Sequence, residues 1–179
     1  MKVDIASFRL PRYREIPDVG LYLDQTVKYI NRFLQPLGCV EITASMVSNY
    51  VKKGYIRNPD HKQYDAEQIA RLMIIAIAKM VLPMENIARL FRMQGEYSNQ
   101  RAYDYFCDEL EKLLGYIFGL ETPEGEAPAA ESGANDGKAM LTATIIAVAY
   151  IIFLNSQFES HQEAATGAPE KASAPVQAQ

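Results

Sequence analysis

The stretch ITASMVSNYVKKGYI, residues 42–56, carries near its start a hydroxyl residue, Thr43, that can cap a helix and near its end a glycine, Gly54, that can end one. Thr43 has the right chemistry for an N-cap, its side-chain oxygen accepting a hydrogen bond from a free amide of the first turn. Between Thr43 and Gly54 the spacing predicts a short helix over 44–53. Met46, Val47, Tyr50 and Val51 fall on one apolar stripe, whereas Ser45, Ser48, Asn49 and Lys52 follow at offsets of three, one and three on the opposite side. One face packs and the other presents small polar groups.

Upstream, residues 21–37 read as an amphipathic helix, because Leu23, Val27, Ile30, Leu34 and Leu37 recur at spacings of four, three, four and three. Lys28, Asn31, Arg32 and Gln35 take its other side. Gly38 is a natural stop, and Pro36 disfavours helix at Gln35. Downstream, residues 55–64 (YIRNPDHKQY) place Asn58-Pro59-Asp60 between apolar or aromatic ends, which suits a short hairpin or an extended loop. Asp65 caps a third helix, 66–82, with Gln68 three residues on. The centre of that helix, 72–78, is apolar all round and so belongs in the middle of the domain. Residues 84–93 form a fourth helix after Pro83, and an amphipathic pattern runs from Ser98 to about Leu120.

An amphipathic helix, a tight turn and a polar-faced helix together make the layout of a helix-turn-helix, whose second helix enters the major groove of DNA. A helix about 10–12 Å across fits a groove about 12 Å wide when its outer face carries short donors and acceptors, with cations at the margins for phosphates. Ser45, Ser48 and Asn49 supply the first, and Lys52, Lys53, Arg57 and Lys62 the second. Asn49 is the candidate for reading adenine, and the loop 57–62 for a wing along the backbone. The competing reading is a solvated helix face, with Lys52 and Lys53 merely favoured at a helix C-terminus.

The same segment, with the basic loop, KQYDAEQIARL and LPMENIARLF, resembles the winged helix-turn-helix of MerR-type regulators. With LPRYREIPDVGLYLDQTVKYI it is also similar to a bacterial family of unassigned function, domain-of-unknown-function family eighteen thirty-six, over about residues 10–120. The resemblance implies a mainly α fold, a MerR-like winged helix-turn-helix with additional C-terminal helices. It implies a recognition helix from Thr43 to Lys53, a wing from Tyr55 to Tyr64, and phosphate contacts from Lys52, Arg57 and Lys62. Tyr64 joins that contact set, although on residues alone Tyr50 and Tyr64 read as core or hinge aromatics. MerR-type recognition helices carry Arg before a Tyr pair, whereas this chain has Ser48-Asn49-Tyr50, so base preference is not inherited.

The expected organisation is an extended arm over 1–20, the winged helix-turn-helix over 21–95, the amphipathic helix within 96–120, a Glu/Pro/Gly/Ala-rich flexible linker over 121–138, an apolar helix over 139–158 and a disordered tail over 159–179. The apolar helix has 20 residues without a charge, flanked by Lys138 and Glu159. Its dense part is short for a bilayer span, which favours packing or pairing of two subunits over a membrane anchor. Charge is uneven: residues 1–42 carry 6 Lys and Arg against 5 Asp and Glu, 43–101 carry 9 against 5, and 102–179 carry 3 against 12. A basic middle invites a polyanion.

Cys39 and Cys107 are isolated, with only His61 and His161 to accompany them, so neither a disulfide framework nor a metal site is expected and the compartment is a reducing cytoplasm. The charged amino terminus is expected to be neither a signal nor an anchor, with the protein starting at Met1. Paired carboxylates fall on a helix exterior and in the linker, and no phosphate loop or nucleophile elbow occurs, so no catalytic residue and no cofactor is expected. The sequence therefore leads to a cytoplasmic, homodimeric transcriptional regulator binding double-stranded DNA, dimerising through its C-terminal helices. The alternative is a protein-interaction module that keeps the helix-turn-helix shape without DNA binding.

Overall fold

Thr43 caps the helix that the sequence places after it: its hydroxyl accepts from the Met46 N–H at 3.2 Å, and helix α2 runs Ala44–Lys52. At the far end Gly54 takes a left-handed φ of 74°, and the Tyr55 N–H returns to the Tyr50 carbonyl at 2.9 Å, which closes the helix. The computed structural model describes residues 3–38, 40–95, 97–120 and 136–166, with the side chains of the last helix described through Gln162. Among these the chain is mainly helical, with one two-stranded sheet.

Helix α1 spans Leu23–Leu34, shorter than the predicted 21–37 at both ends. At its start, Leu21–Tyr22 leave the helix to form strand β1, antiparallel to β2, Gln63–Tyr64, with Leu21 opposite Tyr64 and Tyr22 opposite Gln63. Gly20 allows this approach, because a Cβ there would sit 3.1 Å from the Gln63 Cβ and its φ is +74°. At the other end Pro36 diverts the chain into a 3₁₀ turn, Gln35–Leu37, before Gly38 at φ 72°. Asn31 does not face solvent as predicted. Its amide donates to the Ile42 carbonyl at 2.8 Å and accepts from the Ile42 N–H at 2.9 Å, which pins the turn between α1 and α2.

Helix α3, Ala66–Ala78, is the centre of the fold, and every residue from 72 to 78 is buried. It ends four residues sooner than predicted, since the next residues turn toward α4, Met84–Arg92. Helix α5, Asn99–Ile117, is capped by the Ser98 hydroxyl and carries Tyr103, Phe106, Cys107, Leu110, Leu113 and Leu114 inward.

The amino-terminal residues are not an extended arm. Two single-turn 3₁₀ helices, Ile5–Ser7 and Tyr13–Glu15, fold them back, and Ile5, Phe8, Leu10 and Ile16 are buried in the same apolar cluster as α1, α3 and α5. The last helix, α6, runs Asp136–Thr166. Residues 136–138 are therefore helix rather than linker, and 159–166 helix rather than tail. Alanines, Glu and Gln propagate helix readily, and Ser156 and Ser160 bond back to the carbonyls of Phe153 and Ser156 at 2.7 and 2.9 Å. The rest of the predicted linker, 121–135, of the tail, 167–179, and Cys39 lie outside the described residues.

Helix α6 lies chiefly against α5 and sends Ile145, Val148, Ala149 and Ile152 into the common core. Gly137 is required there, because a Cβ at that position would overlap the Met93 carbonyl. One hydrophobic cluster thus joins the amino-terminal turns, α1–α3, α5 and α6 in a shared core.

Candidate nucleic-acid interface

Helix α2 buries Val47 and Tyr50 against the core and leaves Ser45, Ser48, Asn49 and Lys52 exposed. The four polar groups predicted to share a face do share one, and among the described residues no other element covers it. Thr43 is exposed too, but its hydroxyl is engaged as the cap, so its first task is to start the helix. Lys53 is exposed at the C-terminal end, where a cation also complements the helix dipole.

The loop after α2 is built more tightly than a free hairpin. Gln68, almost fully buried, donates from its side-chain amide to the Arg57 carbonyl at 2.8 Å and accepts from the Asp65 N–H at 3.1 Å. Asp65 in turn accepts from the Gln68 N–H at 2.9 Å, so the capping box that begins α3 also anchors the loop. Its second carboxylate oxygen pairs with the Arg57 guanidinium. Arg57, predicted to contact phosphate, therefore already has a carboxylate partner, while its side chain remains half exposed.

At the loop tip His61 and Lys62 both adopt left-handed backbone, at φ 45° and 66°, and the Gln63 N–H donates to the Asp60 carbonyl at 2.7 Å. Two successive positive φ values make a type I′ turn, normally the place of Asn-Gly, so the chain accepts strain to aim two basic-capable side chains outward. Both are exposed. The left-handed backbone of His61 and Lys62 is not legible in the sequence, which offers neither Asn nor Gly at these two positions.

Tyr64 has to be removed from the predicted contact set. It is 4% exposed, on β2, with Leu21 opposite it, and belongs to the core cluster. The strand that carries it pairs with β1 rather than with residues 55–58, which turns the ring inward.

The electrostatic setting is mixed. Lys52 and Lys62 form no ion pair among the described residues, whereas Lys53 lies in the field of Glu85 on α4. Glu85 is held below the ordinary carboxylate range by its own backbone N–H and by the Tyr55 hydroxyl, which donates to it at 3.1 Å. Among the described residues no group of three or more His, Cys, Asp or Glu is placed to hold a metal ion.

Comparison with known proteins adds one family. Residues 11–110 match the family model described as a domain of unknown function, DUF1836. No curated protein and no solved structure matches the chain.

Proposed function

Since the chain belongs to the DUF1836 family, a domain of unknown function, the functional reading must come from its own geometry, and we propose that it is a DNA-binding transcriptional regulator. In this reading α1, the Asn31-pinned turn and α2 form a MerR-like winged helix-turn-helix, with the loop from Tyr55 to the β2 strand as its wing. The observation that carries the proposal is the exposed row Ser45, Ser48, Asn49 and Lys52 on a helix whose opposite side is buried. That is the arrangement a groove-reading helix needs: donors and acceptors outward, apolar anchors inward.

Lys52, Lys53 and Lys62 supply the phosphate contacts, and the acidic carboxyl third faces away from the nucleic acid. A homodimer provides the second half-site. Its seam is the exposed side of α6, where Met140, Ala143, Ala147, Tyr150 and Leu154 recur at spacings of three and four. The span Asp136–Gln162 is long and apolar enough to cross a membrane. Its other face, however, is part of the core with α5, which favours pairing of two copies over a bilayer span.

Gel-shift on fragments of the gene's own upstream region tests the proposal. Affinity should fall steeply with salt, since each neutralised phosphate releases counterions. The Arg57–Asp65 pair favours the second reading, a protein-interaction module, because it removes one cation from the rim. Absent or salt-insensitive binding at micromolar protein would overturn the DNA-binding reading and favour the second.

A further inference from the structure

Positions 136, 140, 143, 147, 150, 154, 157 and 161 of α6 follow one another at alternating steps of four and three, and every one of them is exposed. The opposite side of the same helix sends Ile145, Val148, Ala149 and Ile152 into the core, so the exposed row runs along the outside of the molecule. A repeat of 3.5 residues keeps one seam of a helix against a neighbouring helix along its whole length. From 136 to 161 the seam extends about 38 Å at 1.5 Å per residue.

The side chains on the seam fix how a second copy lies against it. A two-fold axis crossing the helix between residues 148 and 149 sets Ala147 opposite Tyr150 of the second copy, Ala143 opposite Leu154, Met140 opposite Gln157 and Asp136 opposite His161. The two central layers then match a small side chain with a large one, and the end layers match an acid with an imidazole. A parallel pair stacks each residue on its own copy instead. Tyr150 on Tyr150 crowds one layer, Ala147 on Ala147 leaves a gap in the next, and Asp136 on Asp136 sets like charges together. Sliding the antiparallel pair by one heptad also loses the match, since it sets Ala143 on Ala147 in one direction and Tyr150 on Leu154 in the other.

We infer that α6 is the docking surface for α6 of a second copy of this chain, antiparallel, in the register that sets Ala147 against Tyr150 and Asp136 against His161. The inference rests on the homodimer of the proposed function and is independent of DNA binding. Opposed helix directions also bring the negative end of each helix beside the positive end of the other.

Cross-linking of the full-length chain in a Cys39→Ser background, in which the remaining thiol, Cys107, is buried, tests the register. Chains carrying Ala143→Cys or Leu154→Cys are treated with a short bismaleimide separately and as a mixture. The mixture should cross-link, because the two positions face each other, and either chain alone at least about tenfold less, because identical positions then lie about 16 Å apart along the seam. His161→Lys should tighten the dimer about fivefold through a permanent ion pair at each end, and Asp136→Asn in the same chain should cancel the gain. Sedimentation velocity reports the dimer, and flotation with phosphatidylcholine vesicles reports entry into a bilayer. A dimer whose single variants cross-link as readily as the mixture, whose mixture does not cross-link, or whose gain from His161→Lys survives Asp136→Asn would overturn this register and leave the homodimer standing. A monomer, or a chain that floats with the vesicles, would overturn both.

Discussion

Arg12 and Glu111, 99 positions apart in the chain, meet in a two-point ion pair, Nη1 to Oε1 at 2.8 Å and Nη2 to Oε2 at 2.7 Å. Glu111 also accepts the Leu10 N–H at 2.7 Å, and Arg12 reaches Asp108 at 2.8 Å and the Leu10 carbonyl at 2.9 Å. The pair clasps the amino-terminal turns to α5, and through them Leu10 and Ile16 stay in the core.

Glu111→Ala should therefore cost about 2 kcal/mol, because it leaves the part-buried Leu10 N–H without its acceptor and the Arg12 guanidinium without its two-point partner. Urea unfolding measures it, and a loss below about 0.5 kcal/mol, the level of an exposed pair, would show that the clasp is dispensable.

Lys52→Glu should weaken binding to every DNA sequence and reduce the salt slope by about one unit, whereas Asn49→Ala should alter which sequences are preferred. Competition gel-shifts against a randomised pool separate the two effects. Uniform losses from both substitutions would remove Asn49 from base reading.

Gln68→Ala should destabilise the fold by about 2 kcal/mol, since it leaves the part-buried Arg57 carbonyl and the Asp65 N–H without their partner. It should also weaken DNA binding beyond the stability loss, through a displaced loop. Hydrogen exchange would show faster opening of residues 57–65. An unaltered exchange pattern there would contradict the anchoring role.

Burial pushes the Cys107 thiol up to about 12, despite the nearby Tyr103 hydroxyl and Arg12 acting the other way. At pH 8 its thiolate fraction is then roughly a thousandfold below that of an ordinary cysteine. In a Cys39→Ser background an aromatic disulfide reagent should leave the native protein untouched and react promptly once it is unfolded. Rapid labelling of the native form would place the thiol at the surface.

In the proposed dimer, Leu154→Glu should separate the subunits without unfolding them, because Leu154 is 46% exposed and lies outside the core cluster of its own chain. Sedimentation velocity reports the change, with a shift of at least about tenfold in the dissociation constant for a buried charge at such a seam. An unchanged sedimentation coefficient would exclude α6 as the seam.

Much of the candidate interface was legible in the residues themselves. The Thr43 cap, the Gly54 stop and the alternation of Val47 and Tyr50 with Ser48 and Asn49 all depend on interactions within about four residues, which are present in the string. The buried centre of α3 was legible for a similar reason: a helix apolar on every side has one place to go. Asn31, by contrast, reads as one more polar group on an amphipathic helix, and only the approach of Ile42 reveals it as a clamp. Tyr64 sits in a stretch that suits a hairpin, and its direction depends on a partner strand more than forty residues earlier.

Local order along the chain was thus set by the residues alone where it depends on near neighbours: the cap and the stop of α2, and which side of each helix is apolar. The tertiary structure decided which surfaces meet. The pairing of β1 with β2, the return of the amino terminus to Glu111 and the close approach of Gly137 to Met93 all arise from groups distant in sequence, whose contact is chosen by how the whole core packs and not by any short-range preference.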